Sequence, residues 1–306
     1  MLPARFEYHR ASTLDEALGL LARHGEDAKV LAGGQSLIPM MKLRFASPGH
    51  LIDINAVPGL AGVREDGGVL KIGAMTRHRD VAASDVIRKH HPTIAAAAPQ
   101  IADPLVRNLG TIGGSLVHAD PSGDIGSVML ALGATVVARS AKGEREIAIR
   151  EFLKDTFTTT LAPDEILTEI RVPKAAGKSG GTYLKLERKV GDYATVGVAS
   201  FLALDGGKIA RAGLGLTSVG LINVQAADAE QALVGKKPSK ELFAEAGDLA
   251  ASVAKPVSDV RGTADYKRHM VKVYTQRGLA AAAAIDRKST RLNSSHVSES
   301  RMPSSA

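Results

Sequence analysis

The sequence predicts an α+β protein of two or three domains, and three observations carry that reading. Short apolar strand runs alternate with amphipathic helical runs up to about residue 172. A Gly/Lys-rich break follows, Pro173-Lys174-Ala175-Ala176-Gly177-Lys178-Ser179-Gly180-Gly181, which is the best domain boundary in the chain. Beyond a long hairpin pattern, helical periodicity then dominates to about residue 285. A chain of 306 residues has enough length to give each such unit its own core.

Taken in order, Thr13 and Glu16 have capping-box spacing, and Leu14, Ala17, Leu18 and Leu21 share one helical face. Gly25 is a plausible stop. A buried strand over 29–32 runs straight into Gly33-Gly34-Gln35-Ser36-Leu37-Ile38-Pro39, and strands follow at 51–54 and 69–73. Thr76 is expected to cap one helix reaching about Lys89, with His90-His91 in a loop before Pro92. The small-residue run 94–98 is a helix that ends near Ile101-Ala102. A helix over 124–132 precedes strands at 135–139, 146–149, 165–172 and 182–189. Strands at 196–204 and 209–217 flank a turn at Asp205-Gly206-Gly207, and helices cover 226–233, 240–253 and about 263–285. From Lys288 the chain is Ser/Arg-rich without period, which predicts disorder, and it resembles a translated sequencing-adapter remnant.

Two glycine stretches carry the candidate chemistry. The central one is Arg107-Asn108-Leu109-Gly110-Thr111-Ile112-Gly113-Gly114-Ser115, continued through His118 to Asp124. Its three glycines permit positive φ and close approach of a ligand, and consecutive N–H groups in such a turn suit a phosphate. Thr111 and Ser115 add hydroxyls, and the Asp124 carboxylate is placed to accept from a ribose hydroxyl. Taken alone, the stretch is equally compatible with a tight surface turn and an ordinary helix cap. The strand-to-Gly33-Gly34 turn repeats the same chemistry and favours the ligand reading. Neither stretch is a Walker loop or a G-x-G-x-x-G fingerprint, and Gly177-Lys178-Ser179 lacks the upstream glycine.

Other classes are excluded on their own terms. The chain has no cysteine, so it holds no disulfide, thiolate zinc site or iron–sulfur cluster of its own. The nine histidines form no H-E-x-x-H pair, so no metal site is expected, and no G-x-S-x-G elbow occurs. The net charge of +7 is scattered, part of it beyond Arg287, and aromatics are only 4%, which argues against nucleic acid. No apolar run spans a membrane and the start lacks a signal-peptide core, so a cytoplasmic protein is expected. His118 either touches a ligand or sits behind it. By pattern alone, Lys185 to Tyr193 is a solvated strand edge.

With both glycine stretches in view, the sequence resembles the FAD-binding medium subunits of the molybdenum hydroxylases, the aerobic carbon monoxide dehydrogenase and xanthine dehydrogenase group. Leu31-Ala32-Gly33-Gly34-Gln35-Ser36-Leu37-Ile38 matches the first motif, with Gln35 where histidine, asparagine or threonine is common. Thr111-Ile112-Gly113-Gly114-Ser115 matches the second, with Ser115 where asparagine is frequent, and Asp124 matches the acidic residue after it. The stretch Tyr266-Lys267-Arg268-His269-Met270 to Arg277-Gly278-Leu279 resembles the C-terminal domain signature.

The resemblance implies an FAD-binding domain of PCMH/VAO-like type over residues 1–176, with subdomains of about 1–58 and 59–176. A C-terminal sheet-and-helices domain over 177–286 and a tail over 287–306 complete it. It implies that the two glycine loops hold the FAD pyrophosphate, and that Ile101, its neighbour Ala102, and Leu167 contact the flavin or adenine side. His118 joins the same set. Lys185 and Asp192 match a charged pair near the isoalloxazine, and Tyr193 would stack on it or gate its exposed face. A lysine there favours the reduced, negatively charged cofactor. The implied function is electron transfer, with no catalytic acid or base in this chain. A large molybdenum-cofactor subunit oxidises the substrate, and a small [2Fe–2S] subunit relays electrons to FAD. The acceptor is NAD, quinone or oxygen, and the assembly is a dimer of heterotrimers. A stand-alone FAD oxidase of the vanillyl-alcohol or berberine-bridge type and a non-catalytic nucleotide-binding module are the alternatives.

Overall fold

The computed structural model describes residues 2–174 and 177–284. In the first sheet, β1 (Glu7–Arg10), β3 (His50–Asp53) and β2 (Ala28–Leu31) lie parallel in that order. Helix α1 (Leu14–His24) links β1 to β2 and buries Ala17, Leu18 and Leu21 in one core with Ile52 and Ile54. Its cap is half the expected box. Thr13 accepts from the Glu16 N–H at 3.1 Å, but the Glu16 carboxylate accepts from the N–H and hydroxyl of Ser12. The short helix α2 (Leu37–Lys42) begins directly after the double glycine.

The second sheet is antiparallel, in the order β4 (Val63–Asp66), β5 (Val69–Gly73), β10 (Ile166–Pro173), β6 (Thr135–Ser140), β7 (Gly143–Ala148). Between β5 and β6 run α3 (His78–Ala83), α4 (Asp85–His90), α5 (Pro92–Ala97), α6 (Pro104–Leu109), α7 (Ile112–His118) and α8 (Asp124–Leu132). The single helix expected from Thr76 is two helices. Ser84 interrupts it and caps α4 by accepting from the Ile87 N–H. Thr76 caps neither, because its hydroxyl is bonded to the carbonyls of Gly73 and Gly62. His90 closes α4 instead of lying in a loop. Ile149 leaves the strand pattern for α9 (Ile149–Phe152), which leads into the small hairpin of β8 (Leu153–Asp155) and β9 (Thr158–Thr159).

The third sheet is the antiparallel run β11 (Lys178–Leu186), β12 (Val196–Asp205), β13 (Lys208–Thr217), β14 (Val224–Gln225). Strand β11 starts inside the expected break, so Gly180 and Gly181 are strand residues. Period-2 alternation on β12 feeds two cores at once. Ala199, Phe201 and Ala203 join the central core, whereas Val196, Val198 and Leu202 join the C-terminal core. That second core is completed by α10 (Ala227–Leu233), α11 (Lys240–Val253) and α12 (Ala264–Ala283). On the opposite face α8 rests directly on the sheet. A Cβ at Gly213 or Gly215 would lie 1.8 Å from the Ala131 carbonyl oxygen or 1.9 Å from that of Ser127, so these positions accept only glycine. This contact brings the start of α8 against β11.

Among the described residues, no helix is long and apolar enough to cross a membrane. Ile285, the expected end of the last helix, residues 175–176 at the expected domain boundary, and the tail over 287–306 lie outside the described residues.

Candidate functional site

The two glycine stretches form one site. Strand β2 ends at Leu31, and the turn Gly33–Ser36 leaves the sheet at its C-terminal edge. A Cβ on Gly33 would stand 2.4 Å from the Leu109 carbonyl oxygen and 2.7 Å from the Gly110 Cα. A Cβ on Gly114 would reach within 3.8 Å of the Ala32 Cβ, and one on Gly113 would collide with Ala74 at 2.5 Å. Bare backbone is therefore what allows the two segments to meet.

The reason for the glycines differs between the two. Gly34 has φ +72°, as expected of a turn that needs glycine, and the Leu31 and Ile38 side chains flank it. The expectation of positive φ in the second stretch is corrected. Gly110 has φ −59°, and Gly113 and Gly114 lie in the first turn of α7. Their N–H groups are also spent: Gly113 donates to Ala74, Gly114 to the Thr111 hydroxyl at 3.1 Å, and Ser115 to the Thr111 carbonyl. The second stretch thus contributes close approach and the hydroxyls of Thr111 and Ser115. In the first, the N–H groups of Gly34, Gln35 and Ser36 have no acceptor among the described residues, and Ser36 starts α2 without a side-chain cap bond. The Gln35 side chain folds back on the Gly33 carbonyl at 3.3 Å. Unpaired donors beside a glycine-lined surface fit a diphosphate.

Residues outside both motifs hold the two segments in register. Arg77 donates to the Leu109 carbonyl and, at 2.5 Å, to the Asn55 side chain. Asn55 donates to the Ala32 carbonyl at 2.8 Å and to Asp53 at 2.6 Å, and Asp53 accepts from the Tyr8 hydroxyl. His78 is bonded through Nε2 to the Ser115 hydroxyl at 2.8 Å, and burial pushes its pKa down to about 4. Sequence reading missed all of these. Its only available signal was that Asp53 and Asn55 close the strand beside Leu31.

A second cluster lies where α8 meets β11. Asp124 is buried, and both its oxygens are taken, by the Tyr183 hydroxyl at 2.6 Å and the Lys185 ammonium at 3.0 Å. The expected ribose acceptor is therefore an internal ion-pair partner, which only the tertiary contact of α8 with β11 could reveal. Burial raises its carboxyl above the ordinary value despite these partners. Lys185 also donates to the Gln100 carbonyl at 2.9 Å, next to Ile101. Ala102 holds φ +47°, an uncommon conformation for a residue with a side chain, and Arg107 clamps it by donating to both the Ile101 and Ala102 carbonyls. Gly191, whose added Cβ would lie 3.3 Å from the Ala102 carbonyl group, brings the Asp192–Tyr193 loop onto this segment.

The expected charged pair of Lys185 with Asp192 is not an ion pair. Lys185 pairs with Asp124 and Glu187, and Asp192 with Arg188 and Arg261. The Tyr193 ring is half exposed, and burial together with the charges of Asp120 and Asp124 raises its hydroxyl pKa. His118 packs against the Phe157 ring at 5.0 Å, and burial holds its pKa down. Leu167 is 4% exposed and belongs to the central core.

Comparison with known proteins identifies the family of both parts of the chain. Residues 4–175 match the FAD binding domain in molybdopterin dehydrogenase, and residues 181–282 match the CO dehydrogenase flavoprotein C-terminal domain. The chain is 43% identical to the carbon monoxide dehydrogenase medium chain of Hydrogenophaga pseudoflava, over 93% of this chain and 99% of that one. It is 40% identical to the alpha subunit of the 6-hydroxypseudooxynicotine dehydrogenase complex of Paenarthrobacter nicotinovorans, over 92% and 96%. A solved carbon monoxide dehydrogenase from Hydrogenophaga pseudoflava, which lacks the Mo-pyranopterin moiety of its cofactor, superposes with a TM-score of 0.90. Its sequence identity is 45%, over 93% of this chain and 99% of that one.

Proposed function

The chain belongs to the FAD-binding medium subunits of the molybdenum hydroxylases, and from that premise we propose that it passes electrons through FAD from an iron–sulfur subunit to an external acceptor. FAD is its cofactor and the chain is an oxidoreductase subunit. Bound flavin supplies the exchange between single-electron and paired-electron carriers, and the protein supplies placement and electrostatics.

One observation carries the reading. The glycine-lined meeting of residues 33–36 with 109–114 leaves the N–H groups of Gly34, Gln35 and Ser36 without partners among the described residues. These donors would hold the diphosphate, helped by the Thr111 and Ser115 hydroxyls. Leu31, Ala32, Leu37 and Ile38 line the same turn. Ile101 and Ala102 meet the Gly191–Tyr193 loop where the C-terminal unit touches the FAD unit, and this rim, together with His118, would receive the flavin. Lys185 sits beneath it and holds the Gln100–Ile101 backbone in place. Leu167 and Asp124 support this floor from the core, and Asp192 fixes the Tyr193 loop through Arg188 and Arg261. The small iron–sulfur and large molybdenum subunits are the partners, in a dimer of heterotrimers. The lack of cysteine in this chain agrees with clusters carried elsewhere.

The discriminating variant is Ser36→Asp. Aspartate caps a helix at least as well as serine, so α2 keeps its start, while a carboxylate beside the donors repels a dianion. The full chain, produced with its partner subunits, retains FAD, and Ser36→Asp loses it with the circular dichroism unchanged. Equal FAD content in both proteins overturns the assignment of this turn.

A further inference from the structure

Three histidines from three different elements converge at the end of the first sheet opposite the glycine turns. His9 lies on β1, His50 opens β3, and His24 ends α1. The parallel register pairs Glu7 with His50 and His9 with Ile52, so Glu7, His9, His50 and Ile52 all face α1. On α1, Ala17, Leu21 and His24 follow at i, i+4 and i+7, which brings His24 down onto that face.

One ligating nitrogen from each ring lies within 4.8 Å of the others. His9 Nε2 and His50 Nδ1 are 3.0 Å apart and share a hydrogen bond, and the His24 and His50 rings stack with centroids 3.6 Å apart. Glu7 Oε2 lies 3.6 Å from His50 Nδ1, while Asp27 Oδ2 lies 4.0 Å from the other nitrogen of that ring.

We propose that His9, His24 and His50 form a binding site for a borderline divalent transition metal such as Zn²⁺, with Glu7 or water in the fourth position. Imidazole nitrogens suit Zn²⁺, and three of them with one oxygen ligand make a four-coordinate set. In the tautomers that carry the proton on His9 Nδ1 and on His50 Nε2, the paired nitrogens His9 Nε2 and His50 Nδ1 both keep a lone pair for the metal. The His50 Nε2–H then lies on the side of Asp27, whose Oδ2 is 4.0 Å away, the side from which a carboxylate orients a histidine ligand. The site is remote from the cofactor turns, so its role is to tie β1, α1 and β3 together. Positions 9, 24 and 50 form no local spacing motif, so sequence patterns, which led to the expectation of no metal site, carry no signal for this cluster.

The test is isothermal titration of the EDTA-dialysed full chain with ZnCl₂, alongside thermal melting. One saturable Zn²⁺ site per chain is expected, with a higher melting midpoint in Zn²⁺ and no change in Mg²⁺. His24→Asn and His9→Asn weaken binding about tenfold or more, whereas a His90→Asn/His296→Asn control binds as the parent does. Should one of the cluster variants fold poorly, the other decides, with circular dichroism as the check. Unchanged affinity in a folded cluster variant, or only weak uptake that does not saturate, overturns the proposal.

Discussion

Replacing Lys185 with methionine tests how the C-terminal unit is locked to the FAD unit. The Lys185 side chain is 1% exposed, and its ammonium lies 3.0 Å from Asp124, 3.3 Å from Glu187 and 2.9 Å from the Gln100 carbonyl oxygen. At an effective dielectric of about 20, the Lys185–Asp124 pair at 3.0 Å attracts by roughly 5.5 kcal/mol, most of it offset by desolvation. Removing the cation strands Asp124, and breaking one side of a buried pair costs about 3–5 kcal/mol. For a chain of this size that lowers the melting midpoint by roughly 5–8 °C. Asp124→Asn is milder, about 1–2 kcal/mol, because Lys185 keeps Glu187 and the amide oxygen still accepts from Tyr183. The Lys185→Met/Asp124→Asn double variant removes the stranded charge, so it melts above Lys185→Met alone. Differential scanning calorimetry of the four proteins closes the cycle. Losses that add within about 0.5 kcal/mol would refute the coupling.

Three further outcomes follow from the same geometry. Arg77→Met frees the two glycine segments from each other, so retained FAD falls about tenfold, by roughly 1.4 kcal/mol, while the half-buried position of Arg77 limits the fall in melting midpoint to a few degrees. Gly33→Ala reduces FAD content more than Gly34→Ala. The first methyl meets the Leu109–Gly110 backbone, whereas the second meets the flexible Ile38 side chain and costs about 1 kcal/mol in backbone conformation. Absorbance of the purified complexes orders the two, and equal loss would discredit the close-approach argument. Burial also holds His78 and His91 at about 4, against 6.5 in an unfolded chain. Below pH 6.5 the unfolded chain therefore takes up protons that the folded one refuses. Their contribution is full above pH 6.5 and is lost as pH falls toward 4. Melting midpoints measured across that window decline less steeply in His91→Leu than in the parent.

Much of the chain was legible from local patterns. Thr13 capping, the Leu14-Ala17-Leu18-Leu21 face and the Gly25 stop define α1, and the runs at α8, β12, β13 and α11 were readable to within a residue or two. Helices α2, α6 and α7 are too short to show a period, which is why the second glycine stretch read as a loop. The split at Ser84 was equally hidden, since a serine inside a helical run signals a cap only once the following N–H is seen to use it.

The sequence by itself determined the family, the pairing of two glycine motifs, and the order of helices and strands, because periodicity, capping and glycine placement act over a few neighbouring residues. Tertiary structure alone decided which backbone donors remain free, since Ala74 and Thr111 occupy those of Gly113 and Gly114 but none of the described residues occupies those of Gly34 to Ser36. It decided that Lys185 answers Asp124 and not Asp192, because Gly213 and Gly215 let α8 settle onto the sheet beside it. It also gathered His9, His24 and His50, whose meeting depends on strand register and helix packing that no single segment encodes.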